Sequence, residues 1–295
     1  MLSYEEFELE LKKALENKYP GARITRKTQY KFNKLKKGLL IEGIGNGNVN
    51  PIVYPENLYE AYQHHEDLEF ILENLDFATD EGMINQVKGI LRDYERVKQY
   101  LYPYVINADK NRQCLECNDY IYEERLDLLH GVYMEVPDEH GDACINITQQ
   151  LLKSWNVSQE ELYSVAKRNA QYNAKPMREV IAEIMGMDIS ELELPENNYM
   201  YVVRAENYKR GAAAIFDTDL LKRTAEKFGM NGFYILPSSI YEIILVPDED
   251  APQKEMLRDM VAEVNNTQVR DEEFLSGNVY YYTIETNRVE IVEMD

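Results

Sequence analysis

The sequence predicts an α+β protein built from antiparallel hairpins and amphipathic helices, in two or three subdomains. Strand-like runs come in neighbouring pairs joined by short turns, as antiparallel hairpins require. GLLIEGI (38–44) and NPIVY (50–54), joined across Gly45-Asn46-Gly47-Asn48, show the pattern. Between the pairs lie segments with apolar residues at helical spacing, two of them opened by a serine capping box. No internal repeat or low-complexity stretch interrupts this mixture.

The N-terminal region, 1–95, opens on Ser3 and Glu6, which form a capping box. Tyr4, Phe7, Leu11, Ala14 and Leu15 then share one helical face, and the helix should end near Lys18, before Pro20-Gly21. RITRKTQYKF (23–32) partly alternates and reads as a strand, followed by the pair above. Helical patterns follow at 56–77 and 82–93.

The middle region, 96–192, starts with a Tyr-rich strand, VKQYLYPYVIN (97–107), and a short polar segment holding Cys114 and Cys117. LLHGVYMEV (128–136) and ACINIT (143–148) are two strands around the turn PDEHGD. Thr148 caps a short helix ending at Trp155. Ser158 and Glu161 open another, with Leu162, Val165 and Ala166 inward. Pro176 starts a third, with Val180, Ile181 and Ile184 on one face and Gly186 as its stop.

LELPENN (192–198) is the linker to the C-terminal region, 196–295. YMYVVRA and AAAIFD read as a hairpin around NYKRG. A helix at 218–228 closes on Gly229. FYIL and YEIILV form the next pair, and a helix starting at Asp250 and Pro252 aligns Met256, Leu257, Met260, Val261 and Val264. NVYYYTI and RVEIVEM form a terminal hairpin.

Composition excludes several functions. Net charge is −21, from 53 acidic and 32 basic residues, so a broad basic surface for direct nucleic-acid binding is disfavoured. The acids are interleaved with lysines and form no solid block, which suits solubility better than mimicry of nucleic acid. No apolar run reaches the roughly 18 residues of a membrane span. The N-terminus lacks a signal-peptide pattern. Three cysteines, an odd number, argue for a reducing, cytoplasmic setting. Tyrosine is abundant, with 23 Tyr against 8 Phe and one Trp, and suits sheet faces and contact surfaces alike.

No complete catalytic or cofactor constellation is found, and no cofactor is expected. Cys114-x2-Cys117 with His130 twelve residues on has a zinc-like spacing. His140, however, follows at nine residues, where three to five are needed. Two unrelated thiols explain the pair as well. His64-His65-Glu66-Asp67 cannot chelate one ion from a helix, because adjacent side chains diverge. GIGNGN (43–48) lacks phosphate-loop spacing and joins strand to strand. The remaining candidates surround Pro237-Ser238-Ser239: Ser238, Ser239 and Glu242, with Lys209 or Lys222 as base. A hairpin corner accounts for the same residues. Any binding site there would add Asn207, Arg210, Asn265 and Asn266.

The segments INITQQLLKSWNVSQEELYSVAKRNA (145–170), YKRGAAAIFDTDLLKRTAEKFG (208–229), FYILPSSIYEIILVP (233–247) and MVAEVNNTQVRDEEFLSGNVYYY (260–282) carry a family resemblance. The chain resembles an uncharacterised bacterial family, a domain of unknown function found in anaerobic gut bacteria. The resemblance runs over nearly the whole length. The Trp-x-Val-Ser-x-x-x-Leu piece is also similar to a second uncharacterised bacterial family. The resemblance implies a unified, cytoplasmic chain and supplies no activity. In the family pattern a histidine often precedes the glutamate of the Pro-Ser-Ser segment. Here Tyr241 stands in that place, and the cysteine pair is not part of the pattern.

The expectation is a non-enzymatic protein acting through a protein partner. The alternatives are a hydrolase or transferase using Ser238 or Ser239 with Glu242 and a lysine, and an acidic inhibitor of a nucleic-acid enzyme.

Overall fold

The computed structural model describes residues 1–44, 50–65, 67–73, 75, 81–136, 143–192, 199–206 and 209–294. The α+β class holds, with helices beside three antiparallel sheets. The chain forms two compact units, residues 1–90 and 91–295. The turn at 45–48, the PDEHGD turn and residues 193–198 of the linker lie outside the described residues.

In the first unit, helix α1 (Tyr4–Lys18) carries the expected capping box, with Ser3 N donating to the Glu6 carboxylate at 2.9 Å. Its Phe7, Leu11 and Leu15 are fully buried. They pack over the sheet β1 (Arg23–Lys31), β2 (Lys34–Glu42) and β3 (Ile52–Val53). Strand β2 begins earlier than its apolar run suggests, because Asn33, at φ 60°, makes a tight turn after β1. The single helix expected over 56–77 is broken into α2 (Pro55–His65) and α3 (Leu68–Glu73). The Asp67 carboxylate accepts from the amides of Glu69 and Phe70 and starts the second helix. Helix α4 (Glu81–Leu91) leads to the boundary.

The second unit contains both the middle and the C-terminal regions. It begins with α5 (Tyr94–Val97), β4 (Leu101–Asn107) and α6 (Ala108–Cys117). The polar segment carrying the cysteines is therefore a helix, capped by Asn107, whose side chain accepts from Lys110 N. Strands β5 (Tyr122–Arg125), β6 (Leu128–Val136) and β7 (Ala143–Asn146) complete the sheet, and β6 is buried along its whole length. Gly131 of β6 lies beneath the Tyr104 ring, where an added Cβ would meet the ring at 2.3 Å. Helices α7 (Gln149–Trp155) and α8 (Gln159–Asn169) begin at Thr148 and Ser158 as expected.

Strand β8 (Tyr172–Pro176) is an edge strand that period reading missed. It leads into α9 (Met177–Met185), which stops at Gly186 in the left-handed conformation. Val180 of α9 is buried, but Ile184 is 74% exposed, so the expected apolar face is only partly covered. β8 pairs with β9 (Tyr201–Ala205), so the larger sheet draws on both regions. Its order is β13-β12-β10-β11-β9-β8, with β10 (Gly232–Ser239), β11 (Glu242–Pro247), β12 (Tyr280–Thr283) and β13 (Arg288–Ile291).

The hairpin expected between YMYVVRA and AAAIFD does not form. Gly211–Phe216 is a 3₁₀ helix with Ala212 to Ile215 buried. The alanines are small enough to lie against β9 and β11. A Cβ on Gly211 would stand 2.3 Å from Tyr241 O and 2.5 Å from Ala205 N. Helix α10 (Thr218–Phe228) closes on Gly229. Helix α11 (Lys254–Thr267) starts a few residues later than Asp250, buries Leu257 and Val261, and leaves Met256 exposed.

One face of the larger sheet meets α10, the 3₁₀ helix and Val105 and Leu128 of the smaller sheet in a single core. The other face is covered by α11 through Leu236, Val246 and Leu257. Asp127, in the β5–β6 turn, ties the sheets together. It accepts from Ser276 Oγ (2.6 Å), Asn278 Nδ2 (3.0 Å) and Tyr280 OH (2.7 Å).

Candidate binding cleft

Pro237-Ser238-Ser239 forms the corner of the β10–β11 hairpin, with a register shift between Pro237 and Ser239. Its polar groups serve one another. Ser238 Oγ lies 3.4 Å from Glu242 Oε1, and Ser239 Oγ accepts from Tyr241 N at 3.1 Å. Glu242 pairs across the strands with Arg204 at 3.8 Å. The other candidates are elsewhere. Lys209 pairs with Glu135 at 3.0 Å, Lys222 lies on α10, and Asn265 donates to Ser276 O at 2.9 Å. Asn266 is exposed on α11, and Asn207 lies outside the described residues. The structure thus joins Ser238 to Glu242, while Lys209 pairs with Glu135.

The cysteines and His130 are also separated. Cys114 is buried and Cys117 exposed, both in the second half of α6. Cys114 neighbours Tyr104, while His130 pairs in register with Val105. Successive strand residues face opposite sides, so thiol and imidazole lie on different faces of the sheet. His140 lies outside the described residues. Among the described residues no group of three or more His, Cys, Asp or Glu is placed to hold a metal ion.

A different constellation gathers around Arg210. A cleft of about 390 Å³ opens between β4, β6, the start of β8 and the end of β9, lined by Tyr102, Tyr133, Tyr172, Glu206, Lys209 and Arg210. That volume falls in the range of ligand and side-chain pockets. Arg210 has left-handed backbone geometry, φ 48° and ψ 33°. For a residue with a Cβ this costs on the order of 1–2 kcal/mol. The next residue, Gly211, packs tightly: an added Cβ would meet Tyr241 O and Ala205 N. The guanidinium lies 4.3 Å from the Tyr133 ring centroid and 5.1 Å from that of Tyr104, and Nη1 donates to Asn146 Oδ1 at 3.4 Å. Cation–ring contacts of this kind stabilise by about 0.5–2 kcal/mol.

Glu135, only 8% exposed, accepts from Lys209 and, at 3.2 Å, from the Tyr133 hydroxyl. Burial raises the Tyr133 phenol well above its ordinary range; Arg210 opposes this and Glu135 adds to it. Burial, then Glu135, raises Tyr102 as well. Both phenols therefore stay protonated donors at neutral pH. Across Pro103 and Tyr172 lies a second cleft of about 380 Å³ around His130. Beyond the other end of β8, Ile184, Met185, Met187 and Ile189 are 74, 58, 38 and 38% exposed.

Sequence reading named Arg210 and flagged the Tyr-rich run. It missed Glu135, Tyr133 and Tyr172 as cleft residues, because only sheet pairing brings positions so far apart in the chain together.

Fold and cleft define an α+β protein with a polar, tyrosine-lined cleft and no assembled catalytic set among the described residues. A family model, the family of unknown function DUF5688, matches residues 4–283, and the chain belongs to that family. No curated protein and no solved structure matches it.

Proposed function

We propose that the protein is a non-enzymatic, cytoplasmic binding protein that engages a protein partner through the Arg210 cleft. The carrying observation is Arg210 itself: a cation held in costly backbone geometry against two tyrosine rings, in a concave site of a chain with net charge −21. Backbone strain persists where the surroundings enforce it, and it clusters at functional sites. A planar guanidinium fork suits a carboxylate. The exposed run Ile184–Ile189 favours a protein segment as occupant over a free small ion, since clustered exposed apolar residues mark contact surfaces. Three cysteines, an odd number, support the reducing compartment, and the charge supports the absence of direct nucleic-acid binding.

Cross-linking pull-downs from the native host test this with wild-type, Arg210→Ala and Ile184→Glu baits. A partner recovered by wild type should be lost with either variant. Equal recovery by all three baits contradicts the proposal.

A further inference from the structure

The second cleft carries chemistry that the first does not use. We infer that it binds a small planar heteroaromatic molecule bearing a carboxylate or phosphate. Three observations lead there. His130 is 9% exposed and lines the cleft, and no group among the described residues hydrogen-bonds its buried Nδ1. An unpaired buried polar atom costs about 1–3 kcal/mol, so the site is completed by a ligand that supplies the missing bond. Burial, with the neighbouring Arg125 charge, pushes the imidazole down to about 3. The ring therefore meets a ligand neutral, as one donor and one acceptor.

The walls beside it are flat. Tyr163 and Phe216 flank His130 with ring centroids at 4.8 and 5.5 Å. These rings pack on His130 itself, and the aromatic surface they add to the cleft lining suits a planar ring by offset or edge contact. The cleft volume of about 380 Å³ admits one ring system with a short substituent.

The rim carries two cations, Arg125 and Lys167, each beside carboxylates. Arg125 lies over Phe216 at 5.5 Å and bonds Glu123 through Nε and one Nη2 hydrogen. A guanidinium has five N–H groups, and among the described residues Glu123 takes two of them, which leaves donors for an anion. Lys167, on the same rim, pairs with Asp217 at 3.2 Å and Asp219 at 2.6 Å. A heteroatom of the ligand ring meets His130, and its anionic group meets Arg125.

The test is isothermal titration of the full chain with nicotinate and, separately, adenosine monophosphate, each at about 1 mM. At least one should bind. Nicotinate alone indicates a ring carboxylate, and adenosine monophosphate alone indicates a nucleotide-type phosphate. His130→Phe keeps the packing and removes the ring nitrogens, and Arg125→Ala changes only the rim. Each should weaken binding at least about tenfold while thermal unfolding stays cooperative. Binding of neither probe to wild type overturns the inference, as does equal binding to wild type and Arg125→Ala. Ser238→Ala, at the hairpin corner, should leave this titration unchanged, and the Arg210→Ala bait is read only in the pull-down, which keeps the two sites distinguishable.

Discussion

The hairpin corner at Pro237-Ser238-Ser239 and the cleft at Arg210 are both polar, both rest on the larger sheet, and differ in how their groups are satisfied. At the corner the serines bond within four residues, to Glu242 and to the Tyr241 amide, with unexceptional geometry. In the cleft, Lys209 reaches Glu135 across 74 positions of sequence, and Arg210 is forced into a left-handed backbone against rings from two other strands. Local satisfaction is what a turn needs in order to be a turn. Strain maintained by distant elements is what supports the proposed role of the cleft.

The largest effect concerns the groups beside the cleft. His130 is held at about 3 in the folded chain against 6.5 when unfolded, mainly by burial. Its folded value is depressed, so the unfolded state binds the extra proton as pH falls below 6.5. This residue therefore costs stability at acid pH, by up to about 1.4 kcal/mol per pH unit between 6.5 and 3. Urea unfolding of wild type and His130→Phe at pH 7 and pH 4.5 should show the shallower acid loss in the variant. Equal losses would mean that the imidazole is already solvated. Next, Gly211→Ala drives a Cβ into backbone atoms of both β9 and the corner. It should cost about 3 kcal/mol in chemical denaturation. Asp127→Ala strips three donors of their acceptor and should cost about 2 kcal/mol by the same measurement. Arg210→Gly relieves the left-handed cost but loses the ring contacts. Its melting should stay within about 1 kcal/mol of wild type. Ser238→Ala should change stability by less than about 0.5 kcal/mol, because a half-exposed contact at 3.4 Å contributes little. A large loss there would erase the contrast between corner and cleft.

Much of the fold was legible where signals are local. The Ser3, Thr148 and Ser158 caps, the Gly186 and Gly229 stops, and the β10–β11 and β12–β13 hairpins all stand where periodicity and turn chemistry put them. The failures have physical reasons. The alanine run after Gly211 reads as a strand, yet burial on all sides favours a tight 3₁₀ helix. The polar segment after Asn107 has no apolar stripe, and capping rather than amphipathicity makes it helical. The stretch His64 to Asp67 reads as a solvated helix start, as the Asp67 cap bears out, yet the same stretch falls inside the single helix expected over 56–77. For the site, Arg210 and Lys209 were legible as polar groups at element ends. Their companions Tyr133, Glu135 and Tyr172 arise from sheet register, which one sequence does not print.

The most direct test of the central claim compares Arg210→Gly with Ser238→Ala. A peptide array presenting Glu or Asp among apolar residues would be probed with wild type, and the best binders titrated against both variants. Arg210→Gly should lower affinity by at least about tenfold at unchanged thermal stability, while Ser238→Ala leaves it intact. Binding that survives Arg210→Gly and is lost with Ser238→Ala would contradict the claim and move the site to the corner.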